Sequence, residues 1–410
     1  MRGLRASLRV PEFRALLVSY VINRAGDVVG TLALAVVVLA TTGSAWATAL
    51  LFLASQFLPG LVGPVVVARI DRRAPGQLLP VLYAVECGLF LALAALVHNA
   101  GLVPIVALAF LDATLAFAAR TVTRSASAAT LVPHDLLPEG KAAFNIALAA
   151  AMIAGPALAG VAVEVFGSST ALVIDAISFA MATVLVLRAP GLRTATAIDS
   201  AEHGSARSRV RDGLRYIAGR PALRALIVGE GLAFVFFYLV VPVTVVYATV
   251  SLHAGPGAYA AILAAWGVGI AIGSAIQVRL ARRVGQTMIL VSTGAVAVGY
   301  LGTAVAPSLA VACAASVLGG TGNGTQWASV ETLLHQLVDE AYRTRAAAVL
   351  EALAAIAPGV GILLGGALTA LFSPRAAYLV AGLGLVLLVA LGRLVGLSVG
   401  PRPKPAAAPG

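Results

Sequence analysis

The sequence predicts an all-α membrane protein of twelve transmembrane helices in two six-helix bundles, and three observations carry that expectation. Of its 410 residues, 60% are hydrophobic and 42 are glycine while only 11% are charged, a balance outside the range of soluble domains. The mean hydropathy of +0.97 is spread along the whole chain, which excludes a soluble enzyme with one anchor and a receptor with a large ectodomain. The third is a repeat of the first half within the second, developed below.

A spanning helix needs roughly 20 apolar residues to cross a hydrocarbon core of ~30 Å. Twelve segments qualify, near 15–40, 46–68, 78–97, 102–122, 142–165, 169–188, 225–250, 258–279, 287–305, 308–328, 346–371 and 376–398. The first lacks a small-residue cleavage site, so it is expected to be a retained helix and not a signal peptide. The domains follow: a bundle over 1–188, a linker over 189–224, a bundle over 225–398 and a disordered tail over 399–410 rich in Pro and Ala. Within the linker, Val210, Leu214 and Ile217 recur at helical spacing among arginines. That pattern predicts a helix lying on the inner membrane surface.

Counting alternate connections from the N-terminus places 26 of the 28 Lys and Arg residues on one side, with Arg120, Arg124 and Lys141 assigned to the loop after the fourth span. Arg375 lies on the other side and Arg24 within a helix. Cytoplasmic loops retain basic residues, so both termini are expected inside a cell inner (plasma) membrane. The net charge of +11 is thereby a topology signal, and no nucleic-acid partner is expected. Cys87 and Cys313 each stand alone in an apolar run, too few for a disulfide framework or a metal site. No phosphate loop, metal spacing or nucleophile elbow occurs. The expectation is a protein that is not an enzyme, with no cofactor and no metal.

The repeat has three anchors. ARIDRRAPGQLL follows the second span and VRLARRVGQTMIL the eighth; further on, residues 155–172 align without gaps to residues 361–378. The offset places Gly155 over Gly361, Gly160 over Gly366 and Phe166 over Phe372.

Ionisable groups at membrane depth are costly and usually functional. In the first span Tyr20, Asn23, Asp27 and Thr31 fall three and four apart, forming one polar stripe. Asp27 lies about 18 Å into the membrane at ~1.5 Å per residue. Arg24 is placed to pair with it, either permanently as a structural bridge or in only one state, leaving Asp27 free to bind a proton in the other. Further polar groups are Asp112 in the fourth span, Glu230 in the seventh with Phe234, Phe237 and Tyr238 on its flank, and Asn323, Gln326 and Trp327 in the tenth. Glu86 and Asp175 are expected to be structural, hydrogen-bonded between helices.

Over residues 10–398 the sequence resembles the major facilitator superfamily of twelve-helix transporters, most closely the branch of enterobactin and macrolide exporters. The residues that carry the resemblance are FRALL, AGDVVGTLALAVVVLATTGSAWATAL, ARIDRR, TLVPHDLLPEGKAAFN and AGPALAG. The resemblance implies that the first, fourth, seventh and tenth helices line a central cavity. Tyr20, Asn23, Thr31, Phe234, Phe237, Tyr238, Asn323, Gln326 and Trp327 then become substrate candidates, and Asp27, Arg24, Asp112 and Glu230 proton-coupling candidates. It implies gating by Asp71, Arg72 and Arg73, with Asp71 accepting from the start of the eleventh helix. Ala74-Pro75-Gly76 departs from the family's further basic residue, and Ala281 replaces the aspartate in the second copy. Gly155, Pro156 and Gly160 resemble the fifth-helix motif of antiporters and exporters, although two of its glycines are alanine here.

Together these imply a monomeric, proton-driven efflux transporter of a lipophilic small molecule in the lipid bilayer. Two alternatives stand beside it: a dedicated exporter of a siderophore or other secondary metabolite, and a lipid flippase or transport-inactive sensor.

Overall fold

A computed structural model describes residues 6–70, 74–97, 99–193, 206–280, 286–339 and 342–394. Helix α1 (Pro11–Thr42) begins on a proline, whose missing N–H costs nothing in a first turn. It ends where Gly43 turns left-handed (φ +60°) and donates its N–H to the Leu39 carbonyl at 2.8 Å. Ser44 then caps α2 (Ala45–Ile70), its side chain accepting from the Ala47 N–H at 3.3 Å. A π-helical turn at Leu53–Phe57 interrupts α2. Helices α3 (Pro75–Leu96) and α4 (Leu102–Leu131) follow.

The next helical stretch, Leu137–Leu187, is continuous except at Gly167, whose φ of +79° and ψ of 165° suit glycine alone. It divides into α5 (137–166) and α6 (168–187). The second half repeats the plan as α7 (Pro221–Ser251), which also ends in a π-helical turn at Tyr247–Ser251, and α8 (Pro256–Leu280). After these come α9 (Gln286–Val305), α10 (Leu309–Leu337), α11 (Arg343–Leu371) and α12 (Pro374–Leu394). Among the described residues, ten helices are long and apolar enough to cross a membrane, with Ala154–Leu187 taken as one. Helix α10 is outside that group because Gly, Thr, Asn and Gln between 319 and 326 dilute its apolar content.

Several helices run past the ends that hydropathy predicts. Helix α4 continues nine residues beyond 122, so Arg120 and Arg124 belong to a helix and not to a loop. Helix α10 likewise continues to Leu337. Hydropathy stops at the first polar residue, whereas backbone hydrogen bonding does not.

Helix α1 packs on the Leu137–Leu187 segment, α2 on α4, α8 and α9 on α10, and α7 on α11. Among the described residues the most extensive contacts between the halves are α5 with α8 and α2 with α11, and the repeated glycines sit in both; α7 also touches α1 and α2. A Cβ on Gly160 would collide with the Ala260 methyl of α8, and one on Gly366 would fall 2.6 Å from the Ala49 methyl of α2. The other aligned pair serves contacts inside each half. Gly155 faces Val28 of α1, and Gly361 faces Val235 and Tyr238 of α7. Small residues thus bring helix backbones close where lipid supplies no hydrophobic drive for association.

The linker helix Ala206–Ala218 is held on the second half by a stack of four side chains. Arg220 lies 3.6 Å over the Tyr216 ring, Tyr216 stacks on Tyr342 at 4.2 Å, and Arg345 covers Tyr342 at 5.1 Å. The Tyr216 hydroxyl donates to Asp339 Oδ2 at 2.9 Å and accepts from the Asp339 N–H at 3.0 Å. Val210 and Ile217 pack into the cluster around Leu226, Leu333 and Val349, while Leu214 stays 52% exposed beside Arg211 and Arg215. Two of the three apolar positions predicted for the membrane surface are therefore spent on the protein.

Candidate functional site

A cavity of 970 Å³ lies between the halves, lined on one side by α1, α2 and α4 with Phe90 of α3 and Pro156 of α5, and on the other by α7, α8, α10 and α11 with Tyr300 and Thr303 of α9 and Tyr378 of α12. Its first wall is charged. On α1, Arg24 Nη1 donates to Asp27 Oδ2 at 2.9 Å, one turn along the same helix face. From α4, Arg120 Nη1 approaches the same oxygen at 3.6 Å. Asp27 is thus a carboxylate between two guanidiniums, with its side chain 13% exposed against 25% and 30% for Arg24 and Arg120. Thr31 continues the stripe one turn on, and Asp112 lies on α4 two turns before Arg120. In low dielectric a charge persists only when paired, so this arrangement makes Asp27 the best compensated carboxylate of the wall.

The opposite wall is aromatic. Phe237 packs edge-on against Tyr238 at 5.4 Å and against Trp266 at 5.8 Å. Trp266 stacks on Tyr300 at 5.4 Å, and Tyr300 meets Tyr378 at 5.9 Å. All five of these rings line the cavity. Asn323 and Glu351 add polar groups on that side, and Glu351 is exposed. Rings of this kind present apolar area at low entropic cost and attract cations at their faces.

The residues singled out from sequence divide on geometry. Arg24, Asp27, Thr31, Asp112, Phe237, Tyr238, Asn323 and Pro156 line the cavity. Tyr20, Asn23, Phe234, Gln326, Trp327 and Glu230 lie outside its wall. Tyr20 is buried against Phe144 with ring centroids 4.9 Å apart, and Asn23 is buried with no partner for its amide nitrogen among the described residues. Glu230 is buried and accepts from Gln326 Nε2 at 3.2 Å, while Phe234 packs on Trp327 at 5.6 Å. Asp71, Arg72 and Arg73 lie outside the described residues.

Glu86 and Asp175 are buried as expected, but they are not hydrogen-bonded between helices. Both Glu86 oxygens and Asp175 Oδ2 have no partner among the described residues, and Asp175 Oδ1 accepts only from Ser178 of its own helix at 3.1 Å. An intramembrane carboxylate that does not reach across to a neighbouring helix is unusual for a structural group.

Sequence reasoning missed Arg120, Gln56, Phe57, Trp266 and Tyr300. The signal for Gln56 was present, a Ser55-Gln56 pair inside an apolar run. The π-helical turn of α2 explains its role, because the extra residue turns Ser55, Gln56 and Phe57 into the cavity.

The family model described as transmembrane secretion effector matches residues 3–403. The chain belongs to this family of major facilitator transporters. It is accordingly a multi-pass membrane transporter and not an enzyme. No curated protein matches the sequence significantly.

Solved structures match over nearly the whole length. A bacterial homologue of the human lysosomal transporter Spinster, inward-facing and unoccupied, aligns with a TM-score of 0.70 at 13% identity, covering 97% of this chain and 99% of that one. The nucleoside transporter NupG aligns with a TM-score of 0.70 at 10% identity, covering 94% and 98%. A bacterial homologue of the iron transporter ferroportin, inward-facing, aligns with a TM-score of 0.68 at 15% identity, covering 93% and 99%. At these identities the likeness is one of fold alone.

Proposed function

We propose that this secretion-effector family member is a proton-coupled exporter of a lipophilic or amphipathic small molecule. It would work by alternating access, as two six-helix bundles rock about the cavity. The observation that carries this reading is the polarised cavity itself, with the Arg24–Asp27–Arg120 group and Asp112 facing a wall of Phe237, Tyr238, Trp266, Tyr300 and Tyr378. A substrate would lay its apolar body on the rings and its polar end toward the charged wall, where it meets the carboxylates that carry protons.

Twelve spans follow if Gly167 separates two crossings and the 29-residue α10 is a polar-lined one. The mirrored contacts of Gly160 and Gly366 support two bundles related by the repeat. Both contacts lie near the ends of α5, α8, α2 and α11 that are far from the N-terminus. With the arginine-rich ends placed in the cytoplasm, the halves meet on the outer side, which corresponds to an inward-facing state. Glu164 of α5 strengthens that contact, since its carboxylate rests against Gly257 in the first turn of α8, where the helix dipole favours an anion. Export as the direction rests on the exporter-like motifs around Gly155, Pro156 and Gly160.

The test is transport in proteoliposomes of a panel of lipophilic cations, macrolides and siderophores, with proton flux recorded in parallel. Uphill transport should collapse when the proton gradient is dissipated. Its persistence in the absence of any other ion gradient would overturn the coupling.

A further inference from the structure

Among the described residues, four carboxyl groups and two guanidiniums share the interior of the first half. Arg24 and Arg120 are spent on Asp27. Asp112, which lines the cavity, has Oδ1 buried without a partner among the described residues. Glu86 of α3 is fully buried, and neither of its oxygens has a partner among those residues. Asp175 of α6 is fully buried, and its Oδ2 has none among them either.

The surroundings of Glu86 are aromatic. Tyr83 and Phe90, three residues before it and four after, both pack on Phe179 of α6, with ring centroids 6.5 and 5.5 Å away. Asp175 lies one turn before Phe179, its carboxylate against the α1 backbone at Gly26 and Gly30, where only glycine leaves room. The Tyr83 hydroxyl is closed off by Thr123 of α4 at 3.2 Å. Neither Glu86 nor Asp175 lines the cavity, whereas Asp27 and Asp112 do. The charged and titratable groups that face Glu86 are Asp27 from α1, Asp112 and Arg120 from α4, Asp175 from α6, and Tyr83 of its own helix.

An unpaired carboxylate is strongly unfavourable in such a place, and neutralising it by a proton removes that cost. Two cations balance two carboxylates, so the four carboxyls hold two protons between them. We propose that Glu86, with Asp175 beside it, is a second proton-binding site of this transporter, exchanging protons with the cavity only through Asp112 and Asp27. When Asp27 takes up a proton from the cavity, Arg120 loses its partner. A proton then leaves the Glu86 carboxyl for cavity water by way of Asp112, Glu86 becomes the anion, and the wall keeps two negative charges for its two guanidiniums.

The proposal rests on the proton-coupled reading and deepens it. Its test is proton exchange on substrate binding, followed with a pH dye in weakly buffered detergent solution, with tetraphenylphosphonium as the probe. Glu86→Gln keeps the shape of the neutral acid. It should bind the probe yet lose the compensating release, so that proton uptake at Asp27 appears as about one more net proton per probe than in the parent; an unchanged number overturns the proposal. Infrared spectroscopy of the unaltered protein gives a second measure, independent of whether the variant folds. A protonated-carboxyl band should respond to the probe in the parent and exchange with deuterium far more slowly in Asp112→Asn. A spectrum without a probe-sensitive acid band also overturns the proposal. The two readings fail separately. If Asp27→Asn retains full uphill transport, proton coupling through this wall falls; if it abolishes coupling while Glu86→Gln matches the parent, only the second site falls.

Discussion

Replacing Gly366 by alanine tests the inward-facing assignment directly, because the added methyl meets the other half of the molecule. Its Cβ would stand 2.6 Å from the Ala49 methyl of α2. Carbon atoms settle at about 3.5 to 4.0 Å, so α2 and α11 must part locally by roughly 1 Å. Overpacking of this size costs about 1 to 3 kcal/mol. The cost falls only on the state in which the outer ends touch, so the balance should move toward the outward-open state by about 5- to 150-fold. Gly155→Ala is the control. Its Cβ would meet Val28 at 3.2 Å, but α5 and α1 belong to the same half and stay together through the cycle.

The assay is labelling of Leu34→Cys, a cavity position toward the outer end of α1, by an impermeant maleimide applied from outside. Cys87 and Cys313 would first be replaced by serine. Labelling should accelerate in Gly366→Ala and remain at the parent rate in Gly155→Ala. Equal rates in all three proteins, at matched abundance, would refute the reasoning, as would acceleration in Gly155→Ala alone.

Asp27→Asn should abolish uphill transport while leaving downhill exchange measurable, with radiolabelled probe flux as the readout. Because it strands two guanidiniums while Arg24→Ala leaves Arg120 as a remaining partner 3.6 Å away, folded yield should fall further for Asp27→Asn than for Arg24→Ala. If Asp27→Asn and Arg24→Ala each mainly reduce folded protein and the double replacement restores it, the pair is a structural bridge and coupling belongs to Asp112 or Glu230. If Asp71 gates as the family resemblance implies, Asp71→Asn should slow transport at unchanged abundance; equal transport would reduce that loop to a topology signal. Tyr216→Phe removes the bonds to Asp339 but keeps the stack, so it should destabilise the second half by about 1 kcal/mol. Tyr216→Ala also loses the stacking, worth about 0.5 to 1.5 kcal/mol more. Thermal unfolding of the purified protein would order the two.

The legible part of this protein was what depends on composition and short spacing. Hydropathy found the helices because lipid obliges each crossing to satisfy its own backbone hydrogen bonds, which only a long apolar helix does. Spacing of three within α1 found the Arg24–Asp27 pair, since one helix turn brings those side chains together whatever surrounds them. The repeat found Gly160 and Gly366, although their contacts with Ala260 and Ala49 were not visible in it.

What only the tertiary structure decided is which polar residues share a space. Arg120 read as a loop residue because hydropathy drops at its position, yet α4 carries it on to Asp27, ninety-three positions away in sequence. Glu86 and Asp175 read as ordinary helix-bridging groups, and the folded chain buries both with no hydrogen bond to a neighbouring helix among the described residues, Asp175 keeping only Ser178 of its own helix. Glu230 and Gln326 read as cavity residues, and their helices turn them to each other outside the cavity wall. Rotation of a helix about its axis leaves its hydropathy unchanged while reassigning every side chain on it. The sequence therefore determines that these helices cross the membrane, and packing alone determines which of their faces meet.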